Sequence, residues 1–551
     1  MTGWNFAEVF ETIADTIPEA LAQQQGGRSF SWAEFDQRAD GIAAALLAAG
    51  AREQDKVAQY LYNCPEYLES LFAAFKAGLA TVNTNYRYAA DELVYLWDNA
   101  DVVAVVFHGT FAGHIEPIRA RVPRVRTWLW VDDGSGPCPD WATPYEPLAA
   151  GGHAVGRTAG PWGRSGEHLF LLYTGGTTGM PKGVMWRQAD MFGALDSTTK
   201  TPLPDAPDYR LLAERVAAAT ARKPGPRNLP AAPLMHGTGT FNTVSNLMIG
   251  GSVTTLEGRH FDPVELLDTI EQRSINSMSM VGDAFAKPIL RALDAEPERW
   301  DISSLRVILS SGVMCSAESK AGLLRHNPRL IIVDSLGSSE ALSMATNVTS
   351  AATIDRSVSA TAEFALGKGA RVIVETDDGG WRDVVPGSGE VGKLALAGYT
   401  PIGYYKDPVK TASTFVTIDG ARYSIPGDFA EARADGTVKL LGRGSQCINT
   451  GGEKVYPEEV EECLKTHPAV ADAAVVGLPD ERFGEAITAL IEVLPGTEVD
   501  AEALIEYVKA RLARYKAPKA VYPVHNVGRA VNGKLDYRAA KAIATSLASA
   551  R

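Results

Sequence analysis

What this sequence lacks narrows it first. No run of about 18 apolar residues occurs, so a membrane-spanning helix is not expected. The opening MTGWNFAEVFETIADTIPEA has neither the basic nor the apolar stretch of a secretory leader. Five cysteines (Cys64, Cys138, Cys315, Cys447, Cys463) are scattered without a C-x-x-C pair or a histidine-rich neighbour, which argues against a disulfide framework or a zinc site. Basic charge is short too: 53 Lys and Arg against 66 Asp and Glu leave −13 at pH 7, so nucleic acid and anionic lipid are repelled at long range. Any phosphate must therefore be gripped by a local site. No internal repeat or low-complexity tract stands out. The expectation is a cytoplasmic chain with reduced cysteines, and 551 residues at 45% hydrophobic allow more than one core.

Apolar runs such as VAVVF (103–107), HLFLL (168–172), RVIL (306–309) and LIIV (330–333) alternate with amphipathic stretches such as PEYLESLFAAFKAG (65–78) and PVELLDTIEQR (263–273). That alternation predicts an α/β fold with parallel-rich sheets. After about residue 365 shorter, turn-punctuated strands (RVIVETDDGG, GEVGKLALAG, TVKLLGR) predict a β-rich subdomain, and the last hundred residues read as a small α+β unit. The expected domains are a large N-terminal one, 1–442, and a small mobile C-terminal one, 443–551. The segments 204–210 and 221–228 read as a long surface excursion.

One stretch carries chemistry on its face. LLYTGGTTGMPKGVMW (171–186) delivers an apolar strand into glycines, threonines and one lysine, at the strand end where open α/β sheets bind ligands. Glycines let backbone N–H groups converge, hydroxyls add donors, and Lys182 adds a positive charge, a combination suited to polyphosphate. The order G-x-x-x-x-G-K-[ST] is absent here, and the decoy GSGEVGKL (387–394) has leucine after its lysine and a strand-like run where a helix is needed.

YTGGTTGMPKG resembles the phosphate-loop signature of the adenylate-forming enzymes: acyl-CoA synthetases, luciferases and peptide-synthetase adenylation domains. Further family-like motifs follow in order: PLMHGTG (233–239), DSLGSSE (334–340), GYYKDP (403–408), YSIPGD (423–428), GRGSQCINTGGEKVYPEEVE (442–461) and NGKLDY (532–537). The resemblance runs from about residue 30 to 540 and looks closest to bacterial fatty acyl-CoA and steroid side-chain CoA ligases.

The resemblance implies ATP, Mg²⁺ and coenzyme A as co-substrate, and a role for each matching residue. Lys534 matches the lysine that contacts the α-phosphate and the carboxylate. Glu340 matches the magnesium-associated glutamate, with Thr174 as hydroxyl partner near the same ion. His236 takes the position beside the carboxylate and thiol channel, where positioning is preferred to a general-base role. Thr174, Gly175, Gly176, Thr177, Thr178, Gly179 and Lys182 would hold phosphates. Ser311, Gly312 and Val313, with Ser335, Leu336, Gly337, Ser338 and Ser339, would lie along adenine. Asp428 matches the acceptor of the ribose hydroxyls and Arg443 a residue reaching ribose or phosphate. Gly451, Gly452 and Lys454 would enter for the thiol step, after rotation of the small domain withdraws Lys534. Val281, Gly282 and Phe285 are candidates for the acyl pocket.

Four positions depart from the family's usual residues: Leu336 for an adenine-stacking aromatic, Pro426 for threonine, Ser445 at the hinge, and Gln188 for a histidine. The expected activity is an AMP-forming acid–thiol ligase acting on a hydrophobic carboxylic acid, with no nucleic-acid partner and with a homodimer left open. The alternatives are a ligase loading a carrier protein, an oxidising luciferase, or a carrier module using the DSL triplet at Asp334–Leu336.

Overall fold

A computed structural model describes residues 3–175, 180–221, 225–312, 315–354, 363–443, 448–455, 457–465, 467–494, 496–497, 499–528 and 537–549. Its largest sheet is parallel through Leu21–Gln25, Ser252–Thr255, Arg227–Pro230 (β1), Ser277–Met280 (β2), Val307–Ser311 (β3) and Ile331–Ser338 (β4), in that spatial order. From Ala341–Thr349 onward the same sheet turns antiparallel and runs into short strands between Glu363 and Arg443. A second sheet of five parallel strands spans Lys56 to Pro144. Helices fill the crossovers, among them Gly237–Leu247 (α1), Gly282–Ala295 (α2) and Ala317–His326 (α3).

By compactness the chain divides into two units. One gathers 1–84, 99–172 and 183–441; the other gathers 85–98, 173–182 and 442–551. Inside the second, Val470–Asp480 and Gly484–Val493 pair antiparallel, and Ala520–Val524 adds a parallel strand. Its core is built from Ile448, Val455, Leu464, Val475, Ile487 and Leu504. The ammonium of Lys516 donates to Glu92 at 2.7 Å with both side chains buried, and Arg87 donates to Glu453 at 2.9 Å.

Local chemistry explains where elements begin and end. Asp262 accepts the N–H of Val264, Pro263 opens the helix at its first position, and Ser274 closes it at φ +50°. The helix Pro263–Arg273 thus has the limits expected from its pattern, with Leu266, Leu267 and Ile270 turned inward. The segment 221–228 departs from expectation. Arg227 and Asn228 open β1, a central strand, and Tyr209–Thr220 before it is a helix capped by Asp208. Proline and glycine at 224–226 masked a strand only four residues long.

The helix Pro65–Lys76 also differs, for it is buried on every face rather than amphipathic. Its charges are therefore paired: Glu66 with Arg28, Glu69 with Arg38, and Lys76 with Glu11, Asp36 and Asp40 at 2.7, 2.7 and 2.9 Å. Burial outweighs Lys76 at Asp40 and pushes its carboxyl up from the usual 3.8 to about 6. Asp40 thus favours the fold at acid pH, and that contribution is lost as pH rises through about 6. Lys76→Met is expected to lower unfolding stability in urea by about 3–5 kcal/mol at pH 8, because three carboxylates lose their buried cation. The deficit should shrink below pH 6; a deficit independent of pH contradicts the assignment.

Candidate active site

The four parallel strands β1 to β4 end side by side, and their carboxyl ends carry most of the residues singled out in the first unit. Met280 pairs with Ser310, Ser310 with Asp334 and Ser311 with Ser335, so the strand ends are aligned. Beyond β1 the chain passes through Ala231–His236 into α1; beyond β2, through Val281 into α2; beyond β3 lies Gly312; and β4 continues to Ser338. Gly312 takes φ +90°, and a side-chain carbon there would stand 3.6 Å from Val281 Cγ1. The segment expected along adenine and the one expected along the acyl chain are thus neighbours. Such a crevice at the strand ends is where open α/β sheets take ligands.

His236 caps α1 in extended backbone, and Gly239 lets the chain fold tightly, since a side-chain carbon there would meet Pro233 O at 2.3 Å. Two asparagines that sequence reasoning missed hold this loop. Asn63 donates to Pro230 O and Ala232 O and accepts from Leu234 N–H at 2.7 Å; Asn83 donates to Met235 O at 2.7 Å. Both follow or end strands of the second sheet, a signal weak in sequence because asparagine is common in any turn.

Glu340 is buried, and its Oε1 accepts from the hydroxyl of Tyr404 at 2.7 Å. Its N–H donates to Ser338 Oγ at 3.2 Å, while Trp186 Nε1–H donates to Ser339 O at 2.9 Å. Trp186 and Tyr404 belong to paired strands, Pro181–Arg187 and Gly403–Tyr404, with Tyr404 opposite Val184. GYYKDP thereby gains a function that its sequence alone did not disclose: Tyr404 fixes the orientation of Glu340. Gly337 sits at a shift in register between Leu336 and Ser338, where a side-chain carbon would stand 3.0 Å from Ala341 O, a tight contact. Leu336 packs on the β-rich core around Met344 and Phe364.

Asp428 is buried at the start of the strand Asp428–Ala432, following Gly427 at φ +101°. Pro426 lies in the turn before it. Gln188 ties two helices together. It is buried at the start of the helix Gln188–Asp196, and its Oε1 accepts the N–H of Phe6 at 3.0 Å, joining two helix N-termini.

The second unit carries the remaining positions. Thr174 and Gly175 end the strand Leu169–Gly175, and Lys182 lies in the strand Pro181–Arg187. Arg443 ends Thr437–Arg443. Gly451 and Gly452, at φ +60° and +84°, form a two-residue hairpin turn that sets Lys454 opposite Asn449. Gly176, Thr177, Thr178, Gly179, Val313, Ser445 and Lys534 lie outside the described residues.

The donor set fits Mg²⁺. Among the described residues no group of three or more His, Cys, Asp or Glu converges on one point. A cation here would be held by the carboxylate of Glu340 and by nucleotide phosphates, which is how magnesium usually binds. Tyr404→Phe removes only the hydroxyl that orients Glu340. It is expected to raise the Mg²⁺ concentration for half-maximal activity about 10- to 100-fold with little change in melting temperature. An unchanged Mg²⁺ dependence contradicts that role.

Adjacent strand ends, hydroxyl-rich segments and one oriented buried carboxylate define a nucleotide-using α/β enzyme. The sequence pattern of the AMP-binding enzyme family matches residues 10–405, and that of the AMP-binding enzyme C-terminal domain matches 459–534. A medium/long-chain-fatty-acid–CoA/3-oxocholest-4-en-26-oate–CoA ligase of Mycobacterium tuberculosis is 39% identical over 98% of this chain and 95% of its own. A 3-oxocholest-4-en-26-oate–CoA ligase of Rhodococcus rhodochrous is 38% identical over 98% and 95%. The fold is also that of an amide bond synthetase from Marinactinospora thermotolerans, with TM-score 0.77 and 24% identity over 97% of this chain and 99% of that one. The chain belongs to the AMP-binding, adenylate-forming enzyme family.

No described helix is long and apolar enough to cross a membrane.

Proposed function

We propose that this protein is an acid–thiol ligase that activates a bulky apolar carboxylic acid, a fatty acid or a steroid side chain, and transfers it to coenzyme A. The observation that carries this reading is the closeness of Gly312 to Val281, which brings the segment assigned to adenine beside the one assigned to the acyl chain. On the apolar side Phe285 stands edge-on to Phe261, ring centroids 4.6 Å apart, against a cluster including Met278, Met280 and Ile308. Identity of 38–39% over nearly the whole chain to ligases named for fatty and steroid acids supports the substrate class.

In the first step the carboxylate oxygen bonds to the α-phosphorus and the bond to pyrophosphate breaks. Lys534 stabilises the charge that develops, while the loop at 174–182 and Lys182 hold the phosphates. Glu340 and Thr174 are the residues that would hold Mg²⁺, which would supply positive charge at the phosphoryl oxygens. Asp428 accepts from the ribose hydroxyls, Arg443 reaches ribose or phosphate, and Ser311, Gly312, Val313 and Ser335–Ser339 line adenine. In the second step the thiolate attacks the acyl carbon and AMP leaves, with His236 orienting the acyl group and Gly451, Gly452 and Lys454 brought in by rotation of a domain beginning near residue 443. The cytoplasm, where ATP and coenzyme A are supplied and cysteines stay reduced, suits this chemistry.

Ser335 lies within β4, paired to Ser311 on one side and Thr346 on the other, rather than at the start of a helix. That position disfavours a carrier reading of the DSL triplet. AMP formation should be fastest with long apolar acids and free coenzyme A; release only in the presence of a carrier protein would favour the carrier-loading ligase. Lys534→Ala is expected to slow adenylate formation about a hundredfold or more. Thioester formation from supplied acyl-adenylate should stay near normal, and equal damage to both steps contradicts the role.

A further inference from the structure

Below the aligned strand ends lies a buried ion pair that the proposed reaction does not use. Lys320 on α3 and Asp334, the first residue of DSLGSSE, are 3% and 4% exposed, and the ammonium lies against the carboxylate. Lys320 also donates to Asn347 Oδ1 at 3.1 Å, and Asn347 stands opposite Asp334 on the next strand. The carboxylate further faces the hydroxyl of Ser310 and the N–H of Cys315. Both donors favour the carboxylate form, although neither makes a well-directed hydrogen bond to it.

The contacts reach both halves of the crevice. Ser310 and Cys315 flank the turn at Gly312, on the adenine side. Ser310 Oγ in turn accepts the N–H of Gly282 at 3.3 Å, the first residue of α2 on the acyl side. Asp283 of α2 completes the circuit, accepting from Ser316 N–H at 2.9 Å and from its hydroxyl at 3.1 Å. An apolar pair of similar volume would serve stability as well or better, because burying two charges costs about what their attraction returns. Burial indeed drives the Asp334 carboxyl above the usual range despite Lys320. What the pair provides that an apolar one does not is direction: one point of charge beside Ser310 of β3 and Cys315, with the start of α2 joined to it through Ser310.

We infer that Asp334, held by Lys320, is a positioning residue that sets the nucleotide and acyl segments relative to each other. The inference rests on the proposed assignment of those two segments. Neither side chain touches a reacting atom, so its removal loosens ground and transition states alike.

The test compares Asp334→Asn, Lys320→Met and the double variant with the parent protein. Each single variant is expected to raise KM for ATP and KM for the acid by about tenfold, with kcat within about threefold. The double variant should be no worse than the worse single, because both act through one contact. A change in only one KM, a fall in kcat alone, or additive losses in the double variant overturns the inference. Hydrogen exchange on substrate-free protein gives an arm independent of the reaction. The Gly282 and Cys315 amides should exchange faster in either variant while the second sheet stays unchanged; unaltered exchange at both amides overturns it. Failure of the parent protein to release AMP with any acid removes the functional reading, and the exchange result still decides the positioning role.

Discussion

Two anions must meet for this chemistry to occur, and the molecule is organised around making that meeting tolerable. A carboxylate approaching a phosphate within 4 Å at an effective dielectric near 20 is opposed by about 4 kcal/mol, or about three decades in rate. The chain as a whole offers no relief, since its own net charge is −13. Relief has to be local: positive charge and hydrogen-bond donors concentrated in loops, and, on the proposed reading, a divalent cation beside Glu340.

Parallel strands supply the frame. Because β1 to β4 run in one direction and end in register, four separate loops open at one edge, each free to carry a different task. The tasks are then fixed by side chains from elsewhere in the same unit. Asn63 and Asn83 pin the loop before α1, and Trp186 and Tyr404 clamp Ser339 and Glu340. The pair of Lys320 and Asp334 ties the two middle loops together. Buried charge recurs in this protein as a means of orientation: Lys76 does for three helices what Lys320 does for the crevice.

Much of this was legible in the sequence, for reasons that can be named. Val102–His108, Val307–Ser311 and Pro263–Arg273 follow from hydrophobic periodicity and caps, which are local. TGGTTGMPKG, DSLGSSE and GYYKDP stood out by their likeness to motifs of one family, and the family is what the comparison over residues 10–405 bears out. What stayed hidden was nonlocal. β1 is four residues long and preceded by Pro and Gly, so only its neighbours Ser252–Thr255 and β2 make it a strand. Tyr404 acquires meaning from residue 340, Asn63 from residue 234, and Gln188 from residue 6. In each case the partner lies tens to hundreds of residues away in the chain.

The most direct measurement of the central claim is exchange of labelled pyrophosphate into ATP, which reports the meeting of the two anions without the thiol step. The account predicts exchange that requires Mg²⁺ and a lipophilic acid and that proceeds with coenzyme A absent. Exchange that is missing with every such acid, or that runs equally well with no acid present, contradicts it.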